Sequence, residues 1–428
     1  MLESKPDDAV DLLETALLTK KTAFAPAAAA SGPSTEAVAG AKALAALYAP
    51  PVVPVNEETG EPEAVEPPNE YETEDLLAHA ALLDAVGCPL PQGEAYAVML
   101  AAKALGESPE HKLKTVRFFG KVLGLSANYY VFEGVLKEKP SEAAATAEGA
   151  APAELNVGTN AYTYFVSTSP GGTVTRLPDV TPEQIVVSGS LKRYLTGDLG
   201  AAVSSYPVFP GKEAEYLRAV IARVASDTVL APAGKFTISE DNDLVEAEDF
   251  ATPDAAALGE AAGWCHRYPH VLPQGRCEFW APEPAEPDEG EEPPPPVEPE
   301  VGPPLLSSAG EDNLADADEG EEATPAWAPV ASSALASVPF KVAGVRSLKW
   351  AGAYAVGRGA EFANVYIGDG VENKKFVQPA PPAVEGEYAE ELTESTELPP
   401  KPETEEAAEG EGEGEAAEGE AAEGEAAE

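Results

Sequence analysis

Residues 264–280, WCHRYPHVLPQGRCEFW, hold two of the chain's three cysteines and two of its four histidines. Cys265, His266, His270 and Cys277 place four metal-ligating side chains within 13 positions. Tetrahedral zinc favours Cys pairs two to four residues apart and His pairs three to five apart. His266 and His270 meet the second spacing, and on a helix they would share one face. Cys265, however, adjoins His266, where two side chains rarely reach one ion together, and Cys277 stands alone after a Pro-Gln-Gly turn. A Cys-His nucleophile is a second possible chemistry. The third reading is structural: Trp264, Tyr268, Phe279 and Trp280 close a core while the histidines bond to backbone. Packing explains the most residues, so the expectation is no metal, no cofactor and no catalysis.

Other chemical motifs fail on inspection. Gly357-Arg-Gly359 and Gly368-Asp-Gly370 lack the third glycine of a dinucleotide loop, and Gly211-Lys212 lacks the Ser/Thr of a phosphate loop. In DADEG (316–320) the glycine comes one position early for a calcium loop, and Trp327 falls where a bidentate Glu belongs. Two basic patches stand out: Lys112, Lys114, Arg117 and Lys121 on a helix expected over 108–124, and Lys341, Arg346, Lys349 and Arg358 among aromatics. Cations beside exposed rings can stack single-stranded nucleic acid. The plainer reading is that they pair with this chain's own carboxylates or with a partner's.

Bulk charge favours the plainer reading. The chain of 428 residues has 75 Asp+Glu against 27 Lys+Arg, a formal charge of −48. Such a polyanion repels nucleic acid and anionic membranes, and attracts basic proteins or cations. With 42 Pro and 37 Gly, long stretches resist regular structure, while 14 Tyr, 12 Phe and 4 Trp can anchor ordered islands. The start, MLESKPDDAV, lacks the pattern of a signal peptide, no apolar run reaches membrane-span length, and three cysteines make no disulfide framework. These features predict an intracellular protein with reduced thiols.

The acidity is uneven. Residues 281–324 carry 15 acidic residues and no basic one; residues 401–428 carry 12 Glu and one Lys, ending in three Gly-Glu-Ala-Ala-Glu copies. Neither has the apolar surface to offset the entropy of ordering. The organisation predicted is a helical segment at 1–49, a Pro/Glu linker at 50–70 and a helical unit ending in a β-segment at 71–140. An Ala/Glu linker at 141–157, an α+β core at 158–280 and an acidic Pro-rich insert at 281–339 follow. A Gly/aromatic β-meander at 340–385 and an acidic tail at 386–428 complete it. The fold class is α+β, its islands separated by disordered acidic segments.

Within the islands, Thr73 is the expected cap of a helix bearing Leu76, Leu77, Ala80 and Leu83 and ending at Gly87. Tyr96, Met99, Leu100 and Ala104 mark a second helix stopped by Gly106. Ser108 and Pro109 are expected to open a third, carrying Leu113, Val116 and Phe119. NYYVFEGVL reads as strand, and AYTYFVST with TVTRLP as a hairpin about Ser-Pro-Gly-Gly. Thr181-Pro-Glu-Gln184 is a capping box. Leu217, Val220, Ile221 and Val224 line one face of a later helix, leaving Arg218 and Arg223 for the surface or for carboxylates. GKFTIS reads as a closing strand, and Trp350, Tyr354, Phe362 and Tyr366 alternate with turn glycines in the meander.

Five blocks in order resemble the radial spoke head proteins of cilia and flagella: PEHKLKTVRFFGKVLGLSANYYVFEGVL, YFVSTSPGGTVTRLPDVTPEQIVVSGSLKRYLTGDL, SYPVFPGKEAEYLRAVIARVASDT, VLPQGRCEFW and WAGAYAVGRGAEFANVYIG. The likeness is to the paralogous pair forming the head's body. It covers most of 71–280 and 340–385, and KPDDAVDLLE fits weakly. Cys265 departs from the apolar residue expected there, and the 281–339 insert and the tail look particular to this chain. The resemblance implies a structural, non-enzymatic protein of the cytoplasm, cytoskeleton and axoneme. It implies assembly with the paralogue, other spoke head subunits and stalk proteins, transient contact with central pair projections, and transmission of signals that regulate dynein. The alternatives are an acidic chaperone or scaffold for basic proteins, and a zinc-dependent enzyme.

Overall fold

A computed structural model describes residues 35–49, 68–88, 90–138, 151–239, 244–282, 298–314, 323–335, 338 and 341–374. Expectations falling on residues 1–34, on DADEG, on the Pro-rich run at 293–296 and on the acidic tail lie outside them. In chain order the elements begin with α1 (Thr35–Leu47), β1 (Glu72–Thr73), α2 (Leu76–Ala85), α3 (Gln92–Glu107), β2 (Leu113–Val122) and β3 (Tyr129–Leu136). Then come β4 (Thr163–Ser167), β5 (Thr175–Arg176), α4 (Pro182–Ser190), α5 (Glu213–Thr228), β6 (Leu230–Pro232), β7 (Phe236–Ile238) and β8 (Leu244–Glu246). The last are α6 (Ala255–Leu258), β9 (Trp264–His266), β10 (Trp327–Ala331), β11 (Ala343–Ser347), β12 (Ala353–Arg358) and β13 (Glu361–Gly368). Helices and strands are mixed, as α+β requires.

One nine-stranded sheet organises the molecule, in the order β10-β11-β12-β13-β2-β3-β4-β5 with β1 also beside β2. The 340s meander is therefore not a separate island. Parallel pairing of Tyr366–Gly368 with Gly120–Val122 welds it to the strands at 113–167. The junction needs a glycine. Gly120 lies at a β-bulge with φ +156, and a Cβ there would stand 2.0 Å from the Tyr366 carbonyl oxygen. The segment expected to be an acidic insert also enters this sheet: β10, within 281–339, pairs β11 in antiparallel register from Trp327↔Ser347 to Ala331↔Ala343. Pro329 removes one N–H from that edge strand, a device that discourages pairing with other chains.

Both faces of the sheet are covered. Phe118, Tyr130, Phe132 and Phe165 pack under α2 and α3, with Val98, Leu105 and Leu83. Phe119, Tyr129, Val131, Tyr164 and Val166 pack on the other face, under α4 and α5, with Leu217, Val220 and Ile221. A third cluster joins Trp264 and Trp327 to Leu258 and Val345.

Double-sided burial explains the main error of the sequence reading. Residues 113–122 are strand β2, not part of a helix over 108–124. Leu113, Val116 and Phe119 do sit at helical spacing, but a strand buried on both faces does not show simple alternation, and here Leu113, Val116 and Phe118 pack on one face while Phe119 and Val122 pack on the other. Ser108 closes α3 as its C-cap rather than opening a helix, and Lys112 turns the chain with φ 45. Smaller corrections follow. Asp75, not Thr73, caps α2 by accepting from Leu77 and Ala78 N–H. Leu77 and Tyr96 of the expected stripes are exposed, at 40% and 42%. The GKFTIS strand pairs only with β8, in a two-stranded hairpin. The capping box at Thr181–Gln184 forms in full, and the β4–β5 hairpin pairs as expected.

Candidate interaction surface

The four ligand candidates do not converge. Residues 264–266 are strand β9, so the helical geometry that would align His266 with His270 is absent there. Cys265 is buried, its Sγ directed at the Ala231 carbonyl at 3.5 Å. His266 Nε2 lies 2.8 Å from Asp312 Oδ2, which also accepts from Trp327 Nε1 at 2.7 Å. Cys277 donates its backbone N–H to Glu154 at 2.8 Å. Among the described residues no group of three or more His, Cys, Asp or Glu is placed to hold a metal ion. Burial raises all three thiols, Cys88 to about 12, away from the thiolate that nucleophilic chemistry needs. In His270, burial lowers the ring, and the neighbouring Asp227 carboxylate only partly opposes this.

The aromatics singled out from sequence face mostly inward. Trp264 and Trp350 are fully buried and Tyr366 is 2% exposed; Trp280, Tyr354 and Phe362 are half-buried. Trp264 Nε1 donates to the Leu258 carbonyl at 2.9 Å. Trp350 Nε1 donates to Asp227 Oδ2 at 2.6 Å, with the Arg223 guanidinium 5.1 Å from its ring centre. Tyr366 Oη accepts the Gly370 N–H at 2.8 Å. Gln274 clasps the Trp280 backbone, donating to its carbonyl and accepting its N–H.

The first basic patch divides by the alternation of β2. Lys112 and Lys114 are exposed, Lys112 pairing with Glu138 at 3.0 Å. Arg117 is directed inward, opposite Glu133 in register, and donates to it through Nε and Nη2, both at 3.1 Å. Lys121 reaches Glu94 at 2.6 Å beside the Tyr130 ring. In the second patch Lys349 pairs with Asp227 at 2.9 Å and Arg358 with Glu361 at 2.9 Å, while Arg346 is exposed. The chain's own carboxylates thus engage most of these cations.

Sequence reasoning missed a set of buried polar residues that fasten the loops to the sheet. Glu133 accepts from Arg117 and from Tyr164 Oη at 3.0 Å; burial alone would raise it, but the Arg117 guanidinium holds it below the usual range. Glu213, at the start of α5, accepts from Tyr129 Oη at 2.7 Å, Gly197 N at 2.8 Å and Thr196 Oγ1 at 2.7 Å. Burial opposes the charge on Glu213, and these donors outweigh it, lowering its pKa. Glu154, in the stretch read as a linker, accepts from Thr159, Cys277 and Glu278 N–H. Arg218, expected at the surface or on a carboxylate, is instead 1% exposed and donates to the Thr159 carbonyl at 2.6 Å and Asn160 Oδ1 at 3.0 Å, over the Tyr164 ring. In a chain with 75 acidic residues, no local pattern separates these few from the rest.

Among the exposed large apolar residues, four lie on loops that are hydrogen-bonded to one another. Leu125 is 74% exposed, Tyr194 55%, Tyr206 66% and Val208 76%. Leu125 and Ser126 donate their N–H to the Leu195 and Thr196 carbonyls, and Arg193 Nη1 donates to the Ser204 carbonyl at 3.1 Å. Large apolar groups gathered on a surface mark protein contact sites. This cluster, rather than the residues chosen from sequence, is the best candidate interface.

A model of the radial spokehead-like protein family matches residues 1–154 and 137–406. The chain is 41% identical to the flagellar radial spoke protein 4 of Chlamydomonas reinhardtii over 423 residues, covering 93% of this chain and 89% of the algal one. It is 33% identical to the mouse radial spoke head protein 6 homolog A over 78% of this chain and 55% of that protein. The human radial spoke head protein 4 homolog A is 32% identical over 76% of this chain and 53% of its own length. With that family model spanning most of the chain and the algal protein 41% identical over 93% of it, the chain belongs to the radial spoke head protein family.

Proposed function

We propose that this protein is a non-enzymatic structural subunit of the radial spoke head in the axoneme of cilia and flagella. The observation that carries the reading is the match to an algal radial spoke protein over 93% of this chain and 89% of that protein. The fold supports it: strands far apart in sequence share one sheet, covered on both faces and fastened by buried ion pairs, which makes a body able to bear load. Its exposed cluster at Leu125, Tyr194, Tyr206 and Val208 docks onto neighbouring head subunits, the paralogue among them, with stalk proteins further along the assembly. Its acidic segments meet the central pair projections. Solvated charge of one sign permits repeated contact without sticking, and that contact transmits the signal regulating dynein.

The test is reconstitution into axonemes that lack the corresponding subunit. The expected result is recovery of spoke head density by electron tomography and of a regulated beat, with the chain retained on salt-washed axonemes. A Tyr206→Asp/Val208→Asp double variant should fold normally yet fail to co-purify with other head subunits. A chain that folds but never sediments with axonemes would refute the assignment. One that assembles equally well with the double substitution would refute only the docking face.

A further inference from the structure

In a chain of net charge −48, one groove has the opposite local sign. A cavity of about 440 Å3 opens where α4 ends, walled by Ile185, Val186, Val271 and Leu272 on its apolar side. Its polar side holds three cations, Arg223, Lys349 and Lys374, against two carboxylates, Asp227 and Glu372. A fourth cation, the exposed Lys192, lies beside the lining rather than in it, its Nζ donating to the Lys374 carbonyl at 2.6 Å. His270 lines the groove too, and its burial favours the neutral ring.

The ion pairing inside the groove is incomplete. Glu372 is shared among Arg223, Lys374 at 3.2 Å and Lys349 at 3.7 Å, and Asp227 serves Lys349 at 2.9 Å and Trp350. Arg223 Nη1 and Lys374 Nζ also donate to the Ser188 and Gly189 carbonyls at the C-terminal end of α4. Those carbonyls contribute only partial negative charge. Lys349 and Lys374 remain 30% and 38% exposed, and an ammonium has three donors to place. An excess of positive charge beside an aliphatic wall is complementary to carboxylates carried on a peptide with aliphatic side chains.

We propose that this groove binds an acidic peptide segment of a partner protein, its carboxylates on Lys192, Lys349 and Lys374 and an aliphatic side chain against Val186 and Leu272. The proposal stands independently of the spoke head assignment. It predicts an unusual salt response. At about 0.01 M salt the Debye length is about 30 Å, so the whole polyanion repels an acidic peptide. At about 0.15 M it shrinks to about 8 Å, leaving the groove's close contacts while the distant charge is screened. Affinity should therefore rise and then fall as salt increases.

The experiment is fluorescence anisotropy on the full chain with a labelled synthetic peptide of Glu, Ala and Leu, against the same peptide with Gln for Glu. The Glu peptide should bind best at intermediate salt, and the Gln peptide should bind about tenfold more weakly. Lys192→Glu/Lys374→Glu should produce a similar loss. Because Lys374 also contacts α4, Val186→Asp on the 45% exposed wall provides a second variant outside the ion network, and it too should weaken binding. Equal binding of the Glu and Gln peptides, no binding at any salt, or unchanged binding by both variants would overturn the proposal.

Discussion

Under α2 and α3 the sheet presents Phe118, Phe132 and Phe165 to Leu83, Val98 and Leu105, and packing is mainly by shape, with directed bonds from Asn69 to the Gly106 and Leu113 carbonyls and from Tyr130 to Glu94. Under α4 and α5 the corresponding positions carry Tyr129 and Tyr164, each donating its hydroxyl to a buried carboxylate. Trp350 and Arg218 add further directed bonds on that side. Two faces of one sheet are thus filled by different means. Dispersion contacts tolerate a swap of similar volume, whereas a buried donor or charge stripped of its partner bears the full desolvation cost. The polar face fixes which loops lie where; the apolar face supplies area. The loops it fixes include those bearing Tyr194 and Leu125, through Glu213 at Thr196 and Gly197.

The sharpest way to break this comparison is a pair of near-isosteric substitutions. Glu133→Gln leaves Arg117 buried without its counter-charge and should cost about 3–5 kcal/mol. Leu83→Met, on the other face, should cost less than about 1.5 kcal/mol. Urea midpoints measure both, and equal losses would show that the faces do not differ.

Acid should act on the polar face next. Glu133, Glu213 and Asp227 are all held below the usual carboxylate range in the folded protein: burial opposes their charge, and Arg117, the Tyr129 and Thr196 donors, and Lys349 respectively overcome it. The unfolded chain takes up protons at these groups near pH 4, before the folded chain does. Their stabilisation is therefore complete at neutral pH and is lost as pH falls below about 5. His270, lowered by burial, acts in the same direction from nearer pH 6.5. Urea midpoints followed from pH 7 to pH 4 should decline, and Asp227→Asn should flatten the lower part of that slope. A parallel decline in the variant would remove Asp227 from the account. A smaller effect belongs to Thr181→Ala, which opens the capping box of α4 and should cost about 1 kcal/mol.

The parts of the fold that the sequence made legible are those with local causes. The Thr181–Gln184 box, the Gly-Gly hairpin and the α5 stripe each arise from residues within a few positions of one another. What escaped depends on distant neighbours. β2 looked helical because its two burial surfaces belong to α3 and α5, and neither can be seen from within residues 113–122. Arg218 reads as a residue for the surface or for a carboxylate because its acceptors, Thr159 and Asn160, come from a segment about sixty residues away. Trp264, Trp350 and Tyr366, which sequence marks as contact candidates, turn inward for the same reason: aromatic residues report that something is packed, not whether the partner is this chain or another. Tyr206 and Val208 were within reach of the sequence only as part of a family-like block.

The smallest expected effect on stability belongs to a truncation of the tail. Ending the chain at Lys401 removes 12 of its 75 acidic residues. Substitutions away from packed or bonded groups usually shift stability by less than about 0.5 kcal/mol, and the urea midpoint should hold within that margin. The effect should appear instead in reactivated axonemes. If negative charge on this tail keeps the spoke and central pair from sticking, its removal should make beat frequency and waveform less sensitive to salt, since less repulsion remains to be screened. Stability unchanged and salt response altered would separate a folded body stabilised by a few buried carboxylates from a terminal segment acting by charge alone. A lowered urea midpoint would mean that the tail contributes to the fold, and an unaltered salt response would leave the contact with the central pair to the folded body.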